Sequence, residues 1–200
     1  DDTRSGRDAI LDAIRLRRLP ELPRPDLNQQ WTTYEDPVAQ FTATLEAVGG
    51  SCVEVNSESE IASALEKVDV YREANEVCST LAGIDKVNVD MNGLDDPHAL
   101  ETVDFAILRG EFGVAENGAI WVTDDGVSHR VVYFLVQHLA LVLRRSEIVN
   151  NMHEAYERLS FDAQRFGCFV SGPSKTADIE QSLVIGAHGP RSLHVFLVDN

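Results

Sequence analysis

Two glycine-rich stretches, Gly110–Gly118 and Ser171–Arg191, hold the residues whose types and spacing could do chemistry. The second stretch follows the apolar run Cys168-Phe169-Val170 and turns through Gly172-Pro173. It then presents the hydroxyls of Ser174 and Thr176 and the ammonium of Lys175, just where a new helical turn is expected to start at Thr176. Free amides at a helix start, with a lysine beside them, make a cradle for a small anion. Downstream, Gly186-Ala187-His188-Gly189-Pro190-Arg191 adds an imidazole and a guanidinium. Ser171, Gly172, Ser174, Lys175, Thr176, His188, Gly189 and Arg191 are therefore the expected binding set for a phosphate- or carboxylate-bearing metabolite. The loop is not a Walker A loop, because GxxxxGK[ST] is absent. A plainer reading pairs Lys175 with Asp178 or Glu180 and uses His188 to cap a turn.

Other titratable groups are more scattered. His129-Arg130 follows the Asp124-Asp125-Gly126 turn and could bring one more cation near the site, whereas His138, inside an apolar run, reads as a satisfied core histidine. His194 alternates along the last apolar run and could face either side. The six histidines lack HxxxH or HxH spacing, so no metal site is expected. Cys52, Cys78 and Cys168 stand far apart, which argues against a disulfide framework, structural zinc or an iron–sulfur cluster in this chain. No cofactor is expected here, and the cytoplasm is the natural compartment.

The elements that must position these residues alternate between helix and strand. Residues 3–19 suit a short helix, and Pro20, Pro23 and Pro25 then forbid its continuation, so 20–36 reads as an extended connector. Residues 1–36 form an arm suited to dock on the domain or on a neighbouring subunit, which allows a homo-oligomer. Asp36-Pro37 caps the next helix, with Val38, Phe41, Leu45 and Val48 at helical spacing and Gly49-Gly50 as the stop. Ser51–Val55 is a short strand, and Ser57 with Glu60 forms a capping box for a helix burying Ile61, Leu65 and Val68. Further strands are expected at 77–80, 105–108, 118–122, 139–143, 168–170 and 193–198, with a buried helix as the alternative for 139–143. A helix from about Asn151 turns Met152, Ala155, Tyr156 and Leu159 inward. This grammar predicts one α/β domain over residues 37–200, with a mixed, mostly parallel sheet flanked by helices.

Charge narrows the partners. Acidic residues outnumber Lys plus Arg by 33 to 17, and a net charge of -16 repels phosphate backbones and anionic lipid surfaces. Nucleic acid is therefore a poor partner, while a local basic pocket for a small anion remains compatible. The longest apolar run, Val131–Leu143, is broken by Gln137 and His138 and is too short to span a bilayer. The first residues, DDTRSGRD, contain no apolar signal region and no initiator Met, which leaves room for residues upstream.

The run from Ser171 to Val195 resembles the signature of the lactate-utilisation protein C family, the LUD domain, which pairs SGPS-[KR]-TADIE with G-x-HGP-x-x-L-H-V. Asp104-Phe105-Ala106 followed by Ala115-Glu116-Asn117-Gly118 is similar to a weaker family segment usually written with AETG. The resemblance implies a fold like ribose-5-phosphate isomerase, glucosamine-6-phosphate deaminase and the CoA transferases. It also implies a part in oxidising L-lactate to pyruvate, as a non-redox subunit or ligand-binding component beside iron–sulfur partner proteins. The related CoA transferases share a Ser-Glu-Asn-Gly motif whose Glu forms a thioester with CoA. Glu116 would be the corresponding nucleophile, although Ala115 stands in place of the Ser. Glu116 can equally accept backbone hydrogen bonds and shape its turn, and a regulator sensing a small metabolite is a third reading.

Overall fold

The apolar run ending at Leu143 becomes the middle strand of a five-stranded parallel sheet. The computed structural model describes residues 6–17, 22–26, 29–159, 166–177, 183–186 and 188–199. The chain divides into two units, Asp1–Gln30 and Trp31–Asn200. In the first unit, helix α1 covers Gly6–Leu16. Residues 31–36, read from sequence as connector, belong to the second unit and bond within it: the Tyr34 amide donates to Asn150 Oδ1 at 2.8 Å, and Asn151 Nδ2 donates to the Thr32 carbonyl at 2.8 Å.

The strands in chain order are β1 (Ser51–Val55), β2 (Val77–Ser79), β3 (Phe105–Arg109), β4 (Phe112–Val114), β5 (Ala119–Thr123), β6 (His138–Arg144), β7 (Ile148–Val149), β8 (Gly167–Val170), β9 (Lys175–Ala177), β10 (Leu183–Ile185) and β11 (Ser192–Val198). The main sheet runs β1-β11-β6-β3-β2 with every neighbour parallel. A smaller sheet runs β7-β4-β5-β8, and β9 pairs with β10 as an antiparallel hairpin.

Parallel strands covered on both faces need apolar side chains on both, and β6 shows this directly. Leu139, Leu141 and Leu143 enter one core with Leu193, Val195 and Leu197 of β11, while Ala140 and Val142 enter another with Phe196 and Val198. The first core is closed by Phe41 and Leu45 of helix α2 (Pro37–Ala47) and by Ile120 and Val122 of β5. It also takes Val132 and Tyr133 of the short helix α5 (Val132–Leu135). The second core lies under Ile61 and Leu65 of α3 (Ile61–Leu65) and Tyr71 of α4 (Asp69–Glu73). Helix α6 (Met152–Arg158) packs Ala155 on the outer face of the smaller sheet, with Phe112 and Trp121. The fold is thus the α/β domain with a mostly parallel sheet and flanking helices that the sequence leads one to expect.

Several local expectations change. Asp36 caps α2 as anticipated, accepting the Val38 and Ala39 amides. Ser57 and Glu60 do not form a capping box. Glu60 closes instead on the Asn56 amide and side chain, Ser57 pairs with Ser59, and the helix begins as a 3-10 turn over Glu58–Glu60. The run Val131–Leu143 is two elements, because the chain turns extended at Val136 before β6 starts at His138. Tyr156 is 64% exposed, its ring lying against Phe169 at the surface. No helix starts at Thr176: the Ser174 amide donates to the Pro190 carbonyl at 2.8 Å and its carbonyl accepts the Gly186 amide at 2.9 Å, which draws residues 175–177 into an extended ladder. Among the described residues, no helix is long and apolar enough to cross a membrane.

Candidate functional site

The bonds that make β9 extended also bring the two halves of the C-terminal signature together. Because Ser174 is bonded through both its amide and its carbonyl, the turn at 171–174 and the turn at 188–190 lie against each other. Ser171, Gly172, Ser174, His188 and Gly189 line one cleft of about 220 Å³, whose floor includes Tyr133, Phe134 and Leu193. Its wall is largely apolar, with His188 and the two serines as polar groups, the composition of a site that shelters a small organic molecule and orients it with few hydrogen bonds. The Tyr133 hydroxyl donates to the Thr123 carbonyl at 3.0 Å, and burial raises its pKa, so it stays a neutral phenol.

The weaker segment docks beside this cleft. Ser171 Oγ donates to the Asn117 carbonyl at 2.8 Å, joining turn 115–118 to turn 171–174. Gly118 and Gly172 both have positive φ, 64° and 70°, and both press on the end of α2. A Cβ on Gly118 would sit 2.9 Å from the Leu45 amide nitrogen, and one on Gly172 would sit 2.7 Å from the Val48 carbonyl oxygen. These two positions thus require glycine for both conformation and space. Glu116 is exposed, and its Oε2 accepts the Met152 amide at 2.9 Å. That amide is the first of α6, whose next two bond to the Asn151 side chain, so Glu116 completes the cap of this helix.

The expected anion set is otherwise dispersed. Lys175 is exposed at the start of β9 and does not line the 220 Å³ cleft. The side chain of Thr176, and Asp178 and Glu180 as partners for Lys175, lie outside the described residues. Arg191 lines a different cleft, of about 490 Å³, at the N-terminal edge of the parallel sheet. Its amide donates to the Gln137 carbonyl at 2.8 Å, which sets it beside the strand carrying His138.

That edge carries a polar chain that inspection of the sequence missed. Ser51 Oγ lies 2.7 Å from His194 Nδ1, His194 Nε2 lies 3.0 Å from Ser192 Oγ, and Ser192 Oγ lies 2.8 Å from His138 Nδ1. The pairs are cross-strand neighbours, Ser51 with His194 and His138 with Ser192. Alternation was the available signal: His138 shares its face with Ala140 and Val142, and His194 shares its face with Phe196 and Val198. His138 is therefore a half-buried, hydrogen-bonded histidine at a cleft wall. Burial, with His138 close by, pushes His194 down to about 4, so it is neutral at physiological pH. Burial and Arg191 lower His138, against an opposing pull from Asp104.

The opposite edge of the sheet holds a third cleft, of about 380 Å³, at the strand C-termini where α/β folds commonly bind ligands. Arg109 there makes a two-pronged ion pair with Glu58, at 2.7 and 2.9 Å, which lowers the Glu58 carboxyl below its ordinary range. Gly110 and Glu111 line it, but His129 and Arg130 do not; His129 Nε2 lies 2.6 Å from the Leu94 carbonyl. Among the described residues, no three His, Cys, Asp or Glu side chains are grouped to hold a metal.

The chain is 32% identical over 113 residues to lactate utilization protein C 1 of Bacillus mycoides, a match covering 53% of the chain and 48% of that protein. It is 28% identical over 236 aligned positions to lactate utilization protein C of Geobacillus thermodenitrificans, covering 98% of each. The first of these matches thus spans about half of the relative's length. A crystal structure of a DUF162 family protein from Deinococcus radiodurans shares the fold, with a TM-score of 0.59 at 18% identity, covering 81% of this chain and 96% of that one. The model of the LUD domain matches residues 95–198, just over half of the chain and every signature residue discussed above, and the chain belongs to that family.

Proposed function

We propose that the protein works in lactate utilisation, as the non-redox, small-molecule-binding component beside iron–sulfur partner proteins. The observation that carries this reading is family membership together with a relative named for lactate utilisation that aligns over 98% of both chains. The site supports the binding part. The signature loops meet at a cleft with serine and histidine on its wall, and Arg191 stands at a second cleft on the adjoining sheet edge. The three cysteines are half-buried or buried and stand as free thiols, and burial raises the pKa of each. Such cysteines suit packing better than metal binding, which is why electron transfer is assigned to partners.

The test is recovery of the tagged chain, produced at its native level, followed by mass spectrometry and iron analysis of what accompanies it. Iron-bearing proteins in fixed ratio, with none of the iron on the chain itself, are expected. Recovery of the chain alone, or iron bound to the chain, contradicts the reading.

A further inference from the structure

At the N-terminal edge of the parallel sheet, backbone bonds gather side chains of complementary chemistry. The His138 amide donates to the Asp104 carbonyl at 2.9 Å, the Gln137 amide to the Val103 carbonyl at 3.2 Å, and the Arg191 amide to the Gln137 carbonyl at 2.8 Å. The starts of β3, β6 and β11 are thereby locked together, and the 490 Å³ cleft opens over them. One wall carries Arg191, which makes no ion pair with any described residue, although acidic residues outnumber basic ones two to one in the chain. The lining also includes Glu73, Glu101 and Asp104. Asp104 Oδ2 is already engaged by the backbone amides of Asn75 and Glu76, at 2.7 and 3.0 Å.

His138 stands in the same cleft. Its Nδ1 is held by Ser192, and Ser192 is backed by His194 and Ser51. With Nδ1 engaged by Ser192, Nε2 is the ring nitrogen left to a ligand, and burial and Arg191 lower the pKa of the ring, which favours its neutral form. The serine between the two rings can donate to either one. His138 Nε2 can therefore serve as donor or acceptor, with the chain of hydrogen bonds reversing behind it.

We infer that this cleft binds a small carboxylate whose neighbouring carbon bears a hydrogen-bond donor, hydroxyl or ammonium, with Arg191 holding the carboxylate and His138 Nε2 the donor group. A bare carboxylate would gain from Arg191 but meet the three acidic groups with nothing to offer them. A donor on the next carbon satisfies His138 and suits the acidic lining, so the cleft selects for that second group. The ligand class rests on the lining residues; only the inclusion of L-lactate in the panel rests on the function proposed above.

The test is calorimetric titration of the full chain with L-lactate, L-alanine and propionate, which share one carbon skeleton and differ at the second carbon. L-lactate or L-alanine is expected to bind, with propionate about tenfold weaker or worse, the size of one hydrogen bond. Arg191→Gln, in exposed surroundings, should abolish the binding. His138→Gln should weaken it, and the imidazole resonances of His138 in the unaltered protein should shift on binding, which keeps the test valid if that variant does not fold. Binding of L-alanine without L-lactate would support the cleft while counting against the lactate reading. Absence of binding by all three, equal binding of propionate, or affinity unchanged in Arg191→Gln would overturn the inference.

Discussion

Ser171 donates its hydroxyl to the Asn117 carbonyl at 2.8 Å, across 54 residues of sequence. This one bond joins the two segments by which the family is recognised, and Gly118 and Gly172 on either side of it both press against the end of α2. Ser171→Ala removes a partly exposed bond and should cost about 0.5–1.5 kcal/mol. Gly172→Ala forces a side chain into a positive-φ position against the Val48 carbonyl, and should cost more, on the order of 1–3 kcal/mol. Denaturant melts of both variants check the order; a Gly172→Ala protein as stable as the unaltered one would contradict the packing described.

Glu116 separates a capping role from a nucleophilic one. Its carboxylate accepts the first amide of α6, so Glu116→Gln should lower stability by about 1 kcal/mol, reflecting a weaker acceptor at a helix start. Intact-protein mass after incubation with a panel of acyl-CoAs should show no CoA adduct on the unaltered chain. An adduct present there and absent from Glu116→Gln would make Glu116 a nucleophile.

The histidine chain predicts a pH dependence of stability. His194 has a folded pKa of about 4 against an ordinary 6.5, so between these values the unfolded chain takes up a proton that the folded chain refuses. Stability is then fully present above about pH 6.5 and falls as the pH drops toward 4. His138, also lowered, acts with the same sign. Between about pH 5 and 6.5, above the range of ordinary carboxylates, the melting temperature should fall with pH, and His194→Gln should flatten the slope. An unchanged slope in that variant would contradict the buried, neutral state of His194.

The architecture was legible because parallel strands buried on both faces leave unbroken apolar runs, as at Leu139–Leu143 and Val195–Val198. The Asp36-Pro37 cap was legible for a local reason, since its partners lie within three residues. The site was legible only in part. Ser171, Gly172, Ser174, His188 and Gly189 line one cleft, but the extended course of 175–177 is set by Ser174 bonding to Pro190 and Gly186, partners far along the chain. Arg191, just before β11, is held at the sheet edge for the same reason, through its bond to Gln137. His138 and His194 looked like isolated histidines because the register of β6, β11 and β1, which places Ser192 and Ser51 beside them, is a tertiary property.

The proposed role in lactate utilisation is tested most directly by the rate of L-lactate oxidation in cells of the source organism lacking this chain. The account predicts that the rate collapses while the partner proteins are still made, and that supplying the unaltered chain restores it. An undiminished rate of L-lactate oxidation in the deleted cells would contradict the account.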